Sequence, residues 1–161
     1  MNRPFDIPDI FNQAQYLTDR HLAEGRAGRT AIYYQEQKIS YGELAAMVNR
    51  TGNAFKNLGV EIENRVMLIL PDCPEFFYCY LGAMKIGAVP IPVNTLASSQ
   101  DFRYFLNDSR AKVLVVSQDL LPKIEAIKAE LKYLRRIIVV GGASPGTLSY
   151  TELLKSASES L

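Results

Sequence analysis

The stretch from Arg65 to Asn94, RVMLILPDCPEFFYCYLGAMKIGAVPIPVN, leaves this chain few ways to fold. Its unbroken apolar run, Val66–Leu70, is too short for a bilayer and reads as a strand covered on both faces. Helix-start residues follow at once: Asp72 or Cys73 to cap, Pro74 in the first turn where a missing N–H costs nothing, and Glu75 at the positive end of the helix dipole. Phe77, Tyr80, Leu81 and Met84 recur at helical spacing, and Gly87 supplies the stop before a second strand, Ala88–Val93. Strand, helix and strand within about thirty residues make a right-handed βαβ unit, so the sheet is expected to be parallel. Pro90 and Pro92 place both missing donors along one side of the second strand, which is expected to border a loop or pair weakly there.

The flanking sequence extends this pattern. Asp9–Glu24 reads as a first helix with Ile10, Ala14, Leu17 and His21 on one stripe, followed by a loop, Gly25–Arg29. Ala31–Tyr34 and Lys38–Ser40 look like two short strands. Ser40 and Glu43 form a capping box that opens a helix carrying Leu44, Val48, Thr51, Phe55 and Leu58, ended by Gly59 with Val60 placed for the closing apolar contact. After Asn94, Ser98 caps a helix with Phe102, Phe105 and Leu106. Then come a strand, Lys112–Val116, an amphipathic helix, Asp119–Leu131, and a strand, Arg136–Val140. A second capping box, Ser149–Glu152, opens a short helix that dissolves into the tail SASESL. Helices alternating with continuous apolar strands argue an α/β fold: an open, mostly parallel sheet flanked by helices on both faces.

Composition narrows the function classes. With 18 basic and 17 acidic side chains and a net charge of +1, nothing argues for nucleic acid or an anionic membrane as partner. No apolar run reaches the ~18 residues of a membrane span, and the opening MNRPFDIPDIF lacks the apolar core of a signal peptide, so the cytoplasm is the expected location. Cys73 and Cys79 fit no metal spacing and read as reduced structural thiols, and no metal site is expected.

The motifs that resemble catalytic ones are incomplete. Gly142, Ser144 and Gly146 match G-x-S-x-G after a strand, but no histidine follows Ser144 and Pro145 removes an N–H an oxyanion hole would use. Gly141–Gly146 has the glycine spacing of a phosphate loop with Thr147 where the lysine belongs, and no G-x-G-x-x-G follows any strand. His21, the single histidine, reads as a packing residue, and Asp72 and Asp119 as helix caps rather than acid–base groups. The strand ends Leu70-Pro71, Val93-Asn94 and Ser117-Gln118 lack the acidic cluster of a flavodoxin-like receiver module. No residue of this chain is assigned a catalytic role.

Two segments nevertheless carry a family resemblance. Ile39–Leu44 (ISYGEL) resembles the first core motif of the adenylate-forming enzymes, and Met84–Asn94 (MKIGAVPIPVN) the second, with ENRV and LPDCPE between them. The similarity spans essentially the whole chain. NQAQYLTDRHLAEGR, SRAKVLVVSQDLL and RRIIVVGGASPGTLSYTELL look most like the benzoate- and hydroxybenzoate-CoA ligases.

The resemblance implies a ligase using ATP, Mg and CoA, in which a carboxylate attacks the α-phosphate to give an acyl-adenylate and CoA then displaces AMP. It also implies that residues 1–161 are an N-terminal fragment of the family's large domain, inactive alone. The family's phosphate loop and lysine, acid pocket, ribose-binding aspartate and mobile C-terminal domain have no counterpart here. An aromatic carboxylate is the expected substrate of the parent, with 4-hydroxybenzoate, coumarate or fatty-acid types as alternatives. Asn94, Thr95 and Leu96 resemble a segment bordering the CoA entrance, although Leu96 stands where some relatives carry a basic residue. The partner is expected to be the remainder of the parent chain. Exposed helix faces and a strand edge would make the fragment self-associate.

Overall fold

Alternation within the apolar runs sets the architecture. In the computed structural model, which describes residues 8–161, five strands form one parallel sheet. They are β3 (Arg65–Ile69), β4 (Val89–Pro92), β5 (Val113–Ser117), β6 (Arg136–Val140) and β7 (Leu148–Ser149), in the order β4-β3-β5-β6-β7. Val66, Leu68, Val113, Val115 and Ile138 turn to one face, and Met67, Ile69, Leu114, Val116 and Val139 to the other. The first face is covered by α3 (Tyr41–Asn57), α4 (Pro74–Lys85) and α7 (Tyr150–Lys155), the second by α5 (Ser99–Asp108) and α6 (Leu121–Glu125). This is the expected doubly covered parallel sheet. A hairpin, β1 (Thr30–Tyr34) and β2 (Gln37–Ser40), and two short helices, α1 (Gln13–Leu17) and α2 (Asp19–Ala23), pack beside α3 and α4.

The central unit is built by the devices the sequence displays. Ser40 accepts the Glu43 N–H while the Glu43 carboxylate accepts from the Ser40 backbone at 2.8 Å, which starts α3. The same helix ends with Val60 donating to Phe55 and Gly59 to Lys56, a Schellman turn; α4 ends identically through Ala88 to Ala83 and Gly87 to Met84, with Gly87 at φ +78°. In β4, Val89 and Val93 donate to Asn64 and Leu68 of the β3 side, so the nitrogens of Pro90 and Pro92, of opposite parity, face away from β3. Among the described residues β4 is an edge strand, and its outer side offers acceptors only.

Several expectations need correction. The first helix is two, because buried Thr18 departs from helical geometry (φ −120°, ψ −71°) and its hydroxyl donates to Ala14 O at 2.7 Å. Only Ala14 of the expected stripe is buried, and Ile10 is 94% exposed. On α4 Leu81 of the expected stripe is buried and Tyr80 and Met84 pack against the core, but Phe77 is half-exposed, and Cys79, Gly82 and Ala83 also lie inward because α4 is wedged between the sheet and α3. A Cβ on Gly82 would stand 3.0 Å from the Gly52 nitrogen, so these two glycines set the helix–helix approach.

The predicted helix Asp119–Leu131 shortens to α6 and a separate 3₁₀ turn, Lys128–Glu130. Its buried residues Leu121, Ile124 and Ile127 still recur three apart, across the end of α6 at Ala126. Neither Asp72 nor Asp119 caps: Cys73 and Leu120 hold those positions, and neither makes a side-chain capping bond. At α7 Ser149 accepts from Glu152 N–H at 3.5 Å, giving half of the expected box. The short helix gives way to the tail after Lys155 as expected, and the tail is itself held in place. Asn53 donates to the carbonyls of Ser158 and Ser160, Asn49 to that of Glu159, and Arg50 pairs with the Glu159 carboxylate, binding the tail along α3.

Among the described residues no helix is long and apolar enough to cross a membrane. Most of the opening segment read above for a signal peptide lies outside the described residues.

Candidate functional site

Strand order fixes where a sheet of this kind takes ligands. The chain passes from β3 through α4 to β4, then returns through α5 on the opposite face to β5, so the order reverses between β3 and β5. The crevice beyond the carboxyl ends of such strands is the general ligand position. Asp72 and Asp119 follow those two ends and are exposed. Ser117 closes β5 there, buried, with its Oγ unpartnered. In the sequence Ser117 shows only as a strand end, a hydroxyl closing the otherwise apolar run VLVVS.

The Asn94–Leu96 segment emerges at the same carboxyl edge, after β4. Asn94 Oδ1 accepts the Leu96 N–H at 2.9 Å, and Ala97 N–H donates back to Asn94 O. Lys123 of α6 donates to the Ala97 carbonyl at 3.0 Å and lies 5.6 Å from the Phe102 ring centre. Ser98 and Asp101 then form a capping box that the sequence reading had only half identified. The loop is therefore tied at both ends, with the Leu96 side chain 86% exposed at its tip. Beside it runs an open groove of about 540 Å³, with Met67, Ile91, Val93, Ala97 and Phe105 along its walls.

The remaining candidates are not brought together. Ser144–Thr147 is a turn with Gly146 at φ +76°, in which the Thr147 hydroxyl donates to Ser144 O and accepts the Ser144 N–H. His21 belongs elsewhere: its ring stacks on Tyr41 at 3.9 Å and accepts from Arg26 Nε at 3.1 Å. Desolvation, then the Arg26 and Arg20 cations, hold its pKa below the ordinary value. Burial pushes the Cys73 thiol up to about 11 and raises Cys79 further, so neither supplies a thiolate near neutrality. Among the described residues no group of three His, Cys, Asp or Glu side chains could hold a metal ion.

Fold and crevice define an open, doubly covered parallel sheet with its ligand edge at the strand carboxyl ends. The chain belongs to the AMP-binding enzyme family, which matches residues 19–160. It is 42% identical over 149 residues to the 4-hydroxybenzoate–CoA/benzoate–CoA ligase of Rhodopseudomonas palustris, covering 92% of this chain and 28% of that protein. With the benzoate–CoA ligase of Thauera aromatica it shares 40% over 154 residues, covering 95% and 29%. An anthranilate CoA ligase in complex with anthranoyl-AMP superposes with a TM-score of 0.93 at 34% identity, over 97% of this chain and 30% of that one. The chain thus spans less than a third of the length of the relatives it matches.

Proposed function

We propose that these residues form the first sheet layer of an ATP-dependent aryl carboxylate–CoA ligase, a longer polypeptide that makes acyl-CoA through an acyl-adenylate. The observation carrying this is the 42% identity to a hydroxybenzoate and benzoate ligase over 92% of the chain. Both family-like motifs prove to be structural devices here: Ile39–Leu44 is the capping box that starts α3, and Met84–Asn94 is the Schellman turn and edge strand that aim the loop after β4.

ATP, Mg and CoA do not find a complete site in this chain. The Gly141–Gly146 loop is spent on a turn closed by Thr147, it has no lysine, and among the described residues no carboxylate cluster accompanies it. Their binding for the reaction therefore belongs to the remainder of the parent, and residues 1–161 alone are inactive. The chain's contribution is positional. Asn94, Thr95 and Leu96, fixed by Lys123, form part of the rim through which CoA enters, a reading supported by their place at the carboxyl edge and the exposure of Leu96.

Acid-dependent ATP–pyrophosphate exchange tests this, comparing benzoate, 4-hydroxybenzoate and aliphatic acids on the full-length parent and the 161-residue chain. Exchange by the parent with the aromatic acids, and none by the chain, is expected. Exchange by the chain itself would overturn the division of labour; preference for aliphatic acids would overturn the substrate class. The open apolar groove beside β4 and the exposed Leu96 next to it also lead us to expect self-association of the isolated chain. A monomer by light scattering at tens of micromolar would refute it.

A further inference from the structure

At the opposite end of the sheet the strand openings are stitched together by their own backbone. Lys112 N–H donates to Arg65 O at 3.1 Å, and Arg135 N–H to Lys112 O at 2.8 Å, so adjacent strands bring Arg65, Lys112 and Arg135 side by side. Two more cations join them. Arg110, in the left-handed region at φ +54°, ends the turn after α5 with its guanidinium 5.7 Å from the Tyr133 ring centre. Lys132 is held by its N–H to Asn107 Oδ1 at 2.9 Å. These five line a cavity of about 450 Å³ into which Tyr133 also faces.

In a chain with 18 basic and 17 acidic side chains, a cavity with five cations and no lining carboxylate is a segregation of charge. None of the five forms an ion pair with a described residue. Glu130, near Lys132 in sequence, is engaged by Arg103 at 2.7 Å, and Asp108 lines the adjoining cavity that shares Lys132 and Tyr133. Like charges gathered without a counter-ion repel one another, and a multivalent anion relieves that repulsion at several places at once. The volume suits a small molecule rather than a nucleic-acid strand. Arginine forks mixed with lysine point charges match tetrahedral oxyanions.

We propose that this cavity at the amino ends of β3, β5 and β6 binds a compact polyphosphate group, free or carried by a nucleotide, separately from the carboxyl edge. Calorimetric titration of tripolyphosphate into the 161-residue chain at low ionic strength is expected to saturate at one site. Arg110→Gln with Lys112→Gln should weaken binding about tenfold or more, since two of the five cations lining the cavity are lost. Lys38→Gln with Lys56→Gln, the same change in net charge on exposed sites elsewhere, should leave it within about twofold. Circular dichroism and melting confirm that both variants are folded.

Equal weakening by the two pairs, or no saturation, overturns the proposal. ATP and adenosine identify the carrier: ATP binding like tripolyphosphate supports the free chain, and ATP binding more tightly with loss on Tyr133→Ala supports a nucleotide. Competition by adenosine alone would overturn a phosphate site.

Discussion

The two faces of the sheet are covered by different means. On the α3, α4 and α7 face, backbones approach closely: Gly52 and Gly82 meet, and the small residues Cys79 and Ala83 lie inward. On the α5 and α6 face, large side chains fill the gap, with Phe102, Leu106 and Ile124 wholly buried, and an open groove remains along β4. One face is therefore intolerant of added volume, whereas the other has room beside its core. Both depend on the volume they already hold.

The largest expected effects fall where the faces agree. Phe55→Ala on the first and Phe102→Ala on the second should each cost about 3–5 kcal/mol in urea unfolding, since both rings are buried and leave cavities. A much smaller loss at Phe102 would mean that the open groove lets the second face collapse, sharpening the contrast between them.

Enlargement should separate the faces. Gly82→Val places atoms against the Gly52 nitrogen, the Thr51 Cβ and the Val48 carbonyl, all within 3.1 Å of a first added carbon, and should cost about 3 kcal/mol or more. Ala97→Val, on the groove wall, should stay within about 0.5 kcal/mol. Equal costs would break the comparison.

Lys85 provides a third test on the first face. Its side chain is 2% exposed and joins Asp19 at 2.7 Å and Asn49 at 2.6 Å, tying α2 to α3 and α4, while Asn12 donates to the Met84 and Lys85 carbonyls. Lys85→Ala should cost about 1–3 kcal/mol, below the usual loss for a fully buried pair because Asp19 keeps partial access to water. Lys85→Met, which retains the stem's volume, should recover part of it. Stability equal to the parent chain in Lys85→Ala would show that α2 is not clamped there.

What the sequence made legible follows from how local each device is. The helix α3 was readable whole because its capping box, apolar stripe and Schellman turn all lie within one segment. The unpaired outer side of β4 was legible as weak pairing from two prolines two residues apart. Lys85 was not legible, since a lysine at a helix end ordinarily faces water and only the fold supplies Asp19 and Asn49. Nor was the basic cavity: Arg65, Arg110 and Arg135 are far apart along the chain and meet only through the strand order β3-β5-β6. Ser117 showed as a hydroxyl at a strand end, but its burial without a partner required the packing.

The smallest expected losses concern the two capping boxes, one on a helix of each face. Ser40→Ala and Ser98→Ala should each cost about 1 kcal/mol. Their carboxylates give a finer contrast in acid. The backbone N–H of Ser40, then its hydroxyl, lowers the Glu43 pKa below the ordinary 4.5; the Ser98 hydroxyl, then its N–H, lowers Asp101 below 3.8. Because each folded pKa lies below the unfolded one, the unfolded chain binds more protons in between. The stabilisation is then complete above the unfolded value and disappears as pH falls through the folded one. Measured by urea unfolding from pH 7 downward, the gap between the parent chain and Glu43→Gln should begin to close near the glutamate value. The gap to Asp101→Asn should begin to close only at lower pH, near the ordinary aspartate value. Simultaneous closure would show that the two boxes titrate with the fold as a whole rather than with the helix each one starts.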